Sequence, residues 1–187
     1  MSRFNFIKTH IEGVFIIEPK PIYDERGYFE RYFCAKDFEE INLFKPIVQI
    51  NHSKSTEQNT IRGIHYQTFP YCETKIVRCI KGSIFDVAVD LRENSHTFLQ
   101  YVGIELNENN NRYLVIPEGC GHGFQTLKND VEMLYLVTNF FNLEADSGFN
   151  PLDPKINIKW PLDIGMMSEK DKNAPFISED FKGIKIK

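Results

Sequence analysis

The segment from residue 75 to residue 91 constrains the fold most, because it contains two β-strand patterns separated by a two-residue turn. Lys75–Ile80 and Ser83–Leu91 are predicted strands, and Lys81-Gly82 between them is typical of a β-hairpin turn. Alternate residues of a strand project to opposite faces, and one face of the second strand is wholly apolar: Phe85, Val87, Val89 and Leu91. Such a segment is expected to lie inside a β-structure.

Three further strands are predicted, at Gln100–Leu106, Tyr113–Ile116 and Val131–Phe141. Helical signals are weaker and favour short helices, one over Ala35–Ile41 and one beginning at Ser168. Leu143–Lys159 contains two prolines and is predicted to be an irregular loop. We therefore predict an all-β sandwich or barrel with a few short helices, forming a single domain over residues 1–187.

Composition excludes several classes of function. The chain has 187 residues, a formal net charge of −4 and no long basic run, which argues against a nucleic-acid or membrane-surface protein. Its apolar runs are far shorter than the ~20 residues that a membrane-spanning helix needs, and we find no signal peptide. The four cysteines form no CxxC pair, so we expect reduced thiols and a cytoplasmic protein.

Several short motifs contain side chains that could carry chemistry. They are Asp24–Glu30, Gln49–Ser53, Ile61–Gln67, Pro117–Phe124 and Glu169–Asp171. Each alone is explained by ordinary structure, such as a charged turn, a strand histidine or a helix start. In Ile61–Gln67, Arg62 and His65 project to opposite faces unless Gly63 marks a bulge.

The order of these motifs resembles that of the dTDP-4-dehydrorhamnose 3,5-epimerase family, a branch of the cupin superfamily. The most specific matches are the run from Arg62 to Gln67 and the run from Asp86 to Arg92, and further matches extend from about residue 13 to about residue 177. The resemblance implies a cupin jelly roll, a homodimer, and a nucleoside-diphosphate 4-keto-6-deoxy sugar as substrate. It also suggests a role in making a surface polysaccharide such as a capsule.

The chemistry that the resemblance implies is proton transfer next to a ketone. The carbonyl at C4 acidifies the hydrogens on C3 and C5, and histidine is suited to remove them near neutral pH. His65 matches the family's base, Asp171 the carboxylate that holds its imidazole, and Lys75 the cation that stabilises the enolate. His65 and Asp171 are 106 residues apart, so their pairing depends on the tertiary structure.

Eight further residues match substrate-binding positions of the family: Arg26, Phe29, Glu30, Gln49, Asn51, Arg62, His122 and Phe141. Cupins commonly hold a metal through two nearby histidines, a glutamate and a later histidine. Gln67 follows His65 here where a second histidine would be needed, and His122 alone cannot hold a transition metal. We therefore expect no metal and no other cofactor.

One position departs from the family pattern. The resemblance places the acid that faces the base at residue 141, which is phenylalanine and has no proton to give. In a straight strand Tyr135 would lie ~20 Å away, so we expect that it cannot substitute. This favours inversion at C3 alone over inversion at both C3 and C5 by an unidentified acid, and a catalytically inactive protein is the third alternative.

Other classes stay open from the sequence. These are a metal-dependent cupin oxygenase, a cupin isomerase that moves the keto group of the sugar, and a non-catalytic sugar-nucleotide binding protein. The sequence does not choose between dTDP and GDP, or between a hexose and a heptose.

Overall fold

A computed structural model describes residues 2–186, and their secondary structure is mainly β. The strands, numbered in chain order, are β1 Phe4–Lys8, β2 Phe15–Pro19, β3 Ile22–Asp24, β4 Gly27–Phe29, β5 Gln49–Ser55, β6 Ile61–Gln67, β7 Lys75–Lys81, β8 Ser83–Asp90, β9 Tyr101–Asn107, β10 Tyr113–Ile116, β11 Cys120–Thr126, β12 Val131–Val137 and β13 Asp146–Gly148. Two short helices are α1, Ala35–Phe38, and α2, Glu169–Lys172. The predicted all-β class is confirmed.

Two antiparallel sheets form the body of the fold. The first has six strands in the order β1-β2-β10-β7-β12-β5, and the second has five in the order β13-β6-β11-β8-β9. A separate hairpin pairs β3 with β4. The predicted hairpin at 75–91 therefore connects the two sheets, because β7 belongs to the first and β8 to the second. Its side-chain alternation is confirmed, but its strands do not pair with each other.

Both faces of β8 are buried. Ile84 and Ala88 belong to one apolar cluster, which also contains Leu114 from the other sheet. Val87 and Val89 belong to a second cluster, which the C-terminal part of the chain helps to form. Burial on both faces explains why apolar residues occupy both sides of this strand.

The predicted strand at 131–141 is too long. β12 ends at Val137, and the chain then turns back toward the start of β5. The backbone N–H of Phe141 donates to the side-chain carbonyl of Gln49, and Gln49 is paired with Val137 in the sheet. Phe141 therefore lies beside the end of β12 rather than four residues beyond it.

Both predicted helices form, and each is short. The first runs from Ala35 to Phe38 and continues as a 3-10 turn to Ile41, with Phe38 fully buried. The second begins after Ser168, whose hydroxyl accepts a hydrogen bond of 3.1 Å from the backbone N–H of Asp171. The predicted irregular loop at 143–159 contains β13, which pairs with β6. Within residues 2–186, no helix has the length and apolar character to cross a membrane.

Candidate active site

Three neighbouring strands of the first sheet contribute side chains to one cavity. Val137 of β12 is paired with Gln49 of β5 on one side and with Lys75 of β7 on the other. Tyr135 is paired with Asn51 in the same way. Residues opposite each other, and two apart along a strand, share a face. The register of the first sheet therefore places these five side chains on the same wall.

The second sheet supplies His65 from β6. The pairing of β6 with β11 shifts register between His122 and Phe124, opposite Gly63. Gly63 has φ +105°, and a Cβ there would lie 2.4 Å from the carbonyl oxygen of His122. Only glycine fits this close approach of two backbones. The predicted irregularity at Gly63 is therefore present just before His65.

His65 is held by Asp171. Their Nε2 and Oδ1 atoms are 2.6 Å apart, and the carboxylate is almost fully buried. Burial would raise the pKa of Asp171, but the hydrogen bond and charge of His65, with a contact from the Gly63 N–H, hold it below its usual range. An ionised carboxylate on Nε2 leaves Nδ1 of the imidazole as the proton acceptor.

Lys75 lies at the same cavity, with its ammonium 3.2 Å from the carboxylate of Glu73. Both side chains are largely buried, at 14% and 10% exposure. A buried ammonium can stabilise negative charge that develops on a bound substrate.

The cavity has a volume of about 380 Å³ and contains both catalytic candidates and predicted binding residues. It is lined by Gln49, Asn51, His65, Tyr66, Gln67, Glu73, Lys75, Tyr135, Val137, Phe141, Asp146 and Lys170. The structure thus brings together His65, Lys75, Gln49, Asn51 and Phe141, and adds Asp171 behind His65.

The distance argument against Tyr135 does not hold in the folded chain. Tyr135 and Phe141 line the same cavity, because the strand ends at Val137 and the chain folds back. The ~20 Å separation assumed an extended strand to residue 141. Burial and the charge of Glu73 raise the pKa of the Tyr135 phenol, while Arg62 lowers it. The Tyr135 phenol therefore brings an O–H group to this cavity.

Two predicted binding residues lie near the cavity without lining it. His122 is opposite His65 in the sheet, and its Nε2 is 2.7 Å from the buried carboxylate of Asp86. Burial raises the pKa of Asp86, and the charges of His122 and Lys75 oppose that rise. Arg62 donates to the hydroxyl of Ser55 at 3.0 Å.

The other three predicted binding residues do not line this cavity. Arg26 and Phe29 lie on the β3–β4 hairpin, where Arg26 pairs with Asp24 at 2.6 Å and Phe29 is 64% exposed. Glu30 is buried in an ion pair with Arg78. A nucleotide contact by these residues stays a prediction.

Sequence reasoning missed three charged residues of the cavity: Glu73, Asp146 and Lys170. Asp146 and Lys170 form an ion pair between β13 and α2. Glu73 sits two residues before Lys75, a spacing that puts both side chains on one face and was available in the sequence. Within residues 2–186, no group of three or more histidine, cysteine or acidic side chains is arranged to hold a metal. That the enzyme works without a metal stays a prediction.

A histidine held by a buried carboxylate, an ammonium and a phenol meet at one cavity of a two-sheet sandwich, and this set of groups is typical of acid–base enzymes. The comparisons with known proteins identify the class further. The sequence profile described as dTDP-4-dehydrorhamnose 3,5-epimerase matches residues 8–179, and the chain belongs to that family.

Three similar proteins illustrate the family. The dTDP-4-dehydrorhamnose 3,5-epimerase of Shigella flexneri is 45% identical over 179 residues, covering 95% of this chain and 98% of the relative. The dTDP-6-deoxy-D-glucose-3,5-epimerase of Legionella pneumophila, solved with dTDP-4-keto-L-rhamnose, matches with TM-score 0.90 and 37% identity, covering 97% of this chain and 98% of that one. ChmJ, a 3'-monoepimerase from Streptomyces bikiniensis solved with dTDP-quinovose, matches with TM-score 0.84 and 31% identity, covering 91% and 86%.

The chain is therefore an isomerase-class enzyme with the cupin fold, in the family of the dTDP-4-dehydrorhamnose 3,5-epimerases. Among the classes that the sequence left open, membership of this family favours an epimerase over an oxygenase, a keto-shifting isomerase and a binding protein.

Proposed function

We propose that this enzyme inverts both C3 and C5 of its dTDP-linked 4-keto-6-deoxy sugar, with His65 as base and Tyr135 as the acid on the opposite face. The observation that carries the proposal is that His65 and Tyr135, which lie on different sheets, line one cavity. The preference for C3 alone rested on the absence of an acid, and Tyr135 removes that reason.

Each inversion follows the same proton balance. His65 takes the proton from C3 or C5, and the electrons of the broken C–H bond move to the C4 oxygen to form an enolate. Lys75 stabilises the negative charge on that oxygen. Tyr135 then gives its proton to the opposite face of the carbon, which restores the ketone. Solvent takes the proton from His65 and returns one to Tyr135 before the next inversion. The buried carboxylate of Asp171 stabilises the imidazolium that forms on His65.

ChmJ supports a paired histidine and tyrosine, but it also limits what the pair can decide. A ChmJ variant in which one histidine and one tyrosine, 70 positions apart, are both replaced has been solved in complex with dTDP. His65 and Tyr135 are separated by the same number of positions. Since ChmJ is a 3'-monoepimerase, a histidine and a tyrosine at this spacing do not by themselves establish two inversions. Greater similarity to the Legionella 3,5-epimerase, at 37% against 31%, favours two.

The deciding experiment is proton NMR in deuterium oxide with a dTDP-4-keto-6-deoxyglucose substrate. We expect the C3 and C5 proton signals both to disappear, with a doubly inverted product. Loss of the C3 signal alone would establish the C3-only alternative. The same assay with the GDP sugar tests the choice of nucleotide, for which the relatives favour dTDP.

Homodimerisation is a further part of the proposal. The β3–β4 hairpin exposes Tyr23, Tyr28 and Phe29, each more than half accessible. Exposed aromatic side chains of this kind are typical of an interface. Light scattering on the purified chain should give twice the mass of 21.9 kDa. A single domain and a cytoplasmic location stay predictions.

A further inference from the structure

Glu73 is a carboxylate of the cavity that the mechanism above does not use. It lies just before β7, and its backbone is fixed because the N–H of Thr74 donates to the hydroxyl of Thr138 at 2.8 Å. Its side chain is 10% exposed and points into the cavity, where its Oε1 is 3.2 Å from the ammonium of Lys75. An acidic group this deeply buried is costly unless it is paired.

Ionisable groups on six elements surround Glu73: five of the groups line the cavity, and His122 lies near it. They are Lys75 on β7, His65 on β6, His122 on β11, Tyr135 on β12, Asp146 on β13 and Lys170 on α2. Burial and Asp146 raise the pKa of Glu73, while Lys75 and His122 lower it. In return, the charge of Glu73 raises the pKa of Tyr135. Glu73 thus contacts the cation and is electrostatically coupled to the acid.

We propose that Glu73 is a positioning residue, whose carboxylate holds the Lys75 ammonium at the wall of the cavity that Tyr135 also lines. Lysine is a flexible side chain with a point charge, so a fixed partner restricts where its ammonium can lie. A carboxylate near a phenol disfavours the phenolate, which could not act as an acid. The inference rests on the proposed roles of Lys75 and Tyr135.

The test uses the full-length enzyme with Glu73→Gln, which keeps the shape and removes the charge. We expect kcat to fall about 10-fold or more with KM changed less than about 3-fold, because the loss concerns the transition state. We also expect the alkaline limb of the kcat profile to move to lower pH, since Tyr135 then loses its proton more easily. Glu73→Asp keeps the charge and should recover part of kcat and most of the pH profile.

The double variant Glu73→Gln/Lys75→Met separates positioning from general damage. If Glu73 acts through Lys75, Glu73→Gln should reduce deuterium exchange at C3 and C5 much less in the Lys75→Met enzyme than in the wild type. Glu18→Gln, which removes an ion pair with Arg112 outside the cavity, serves as the control and should behave as wild type.

Two results would overturn the inference while leaving the proposed function intact. One is a Glu73→Gln enzyme with wild-type kcat and pH profile. The other is a loss of activity that is simply additive with that of Lys75→Met. A wild-type enzyme that exchanges neither C3 nor C5, or a Lys75→Met enzyme of full activity, would instead overturn the proposed function and the inference with it.

Discussion

Asp171 and His65 form a hydrogen-bonded pair of 2.6 Å although 106 residues separate them in the chain. The capping contact of Ser168 fixes the first turn of α2, which presents Asp171 to β6. The carboxylate is buried against Nε2 of the imidazole, and the partly exposed His65 side chain lines the cavity.

This pairing predicts that Asp171→Asn inactivates the enzyme without unfolding it. The amide cannot stabilise the imidazolium and can favour the wrong tautomer, so kcat should fall by about 10² to 10⁴-fold. Steady-state kinetics and circular dichroism check the two parts. Wild-type kcat in the variant would contradict the role given to the pair.

Tyr135→Phe tests the acid that the structure reveals. Removing the hydroxyl should reduce product formation about 100-fold or more, since general acid catalysis contributes about 10² to 10⁴-fold. Proton removal by His65 should persist, seen as residual deuterium exchange at C3.

Phe141→Tyr is the matched variant, because it places a hydroxyl at the other aromatic position of the same cavity. We expect no change in the number of carbons inverted. If it converted a C3-only enzyme into one that acts at both centres, residue 141 rather than residue 135 would determine the outcome.

Gly63→Ala should destabilise the fold by roughly 3 kcal/mol, because the new Cβ meets the carbonyl oxygen of His122 at 2.4 Å and the backbone has φ +105°. Gly27→Ala is the control, with φ +127° but no atom within 4 Å of the added Cβ. It should cost only about 1 kcal/mol of conformational strain. Urea unfolding at neutral pH measures both, and equal losses would contradict the steric explanation.

The environment of Asp90 predicts that part of the free energy of unfolding is lost in acid. Burial would raise its pKa, but hydrogen bonds from Arg92, Ser95 and Thr97 lower it from 3.8 to about 2. Since the folded value lies below the unfolded one, the carboxylate stabilises the fold above pH ~4, and this contribution is lost as the pH falls toward 2. It amounts to roughly 2 kcal/mol.

Asp90→Asn should therefore lower the free energy of unfolding at pH 7 and weaken its decline between pH 4 and pH 2. Urea titrations of both proteins across that range measure the difference. An unchanged slope in the variant would show that other carboxylates account for acid unfolding.

The sequence by itself determined the all-β class, the short helices and the family, because side-chain alternation, turn residues and motif order are local properties. It also singled out His65, Lys75 and Asp171 as a set. The sequence could not show that Tyr135 shares a cavity with His65. That depends on where β12 stops and how the chain turns back onto Gln49, which hydrogen bonds between distant segments decide.

Only the tertiary structure placed Tyr135 and Glu73 in the cavity with His65. Sequence spacing gives the distance between two residues only while the strand that joins them stays extended. It gives no distance between residues on different sheets. The charge environment of the cavity has the same origin, since burial and charged neighbours on β6, β7, β11 and β13 together shift the pKa of Glu73 and of Tyr135.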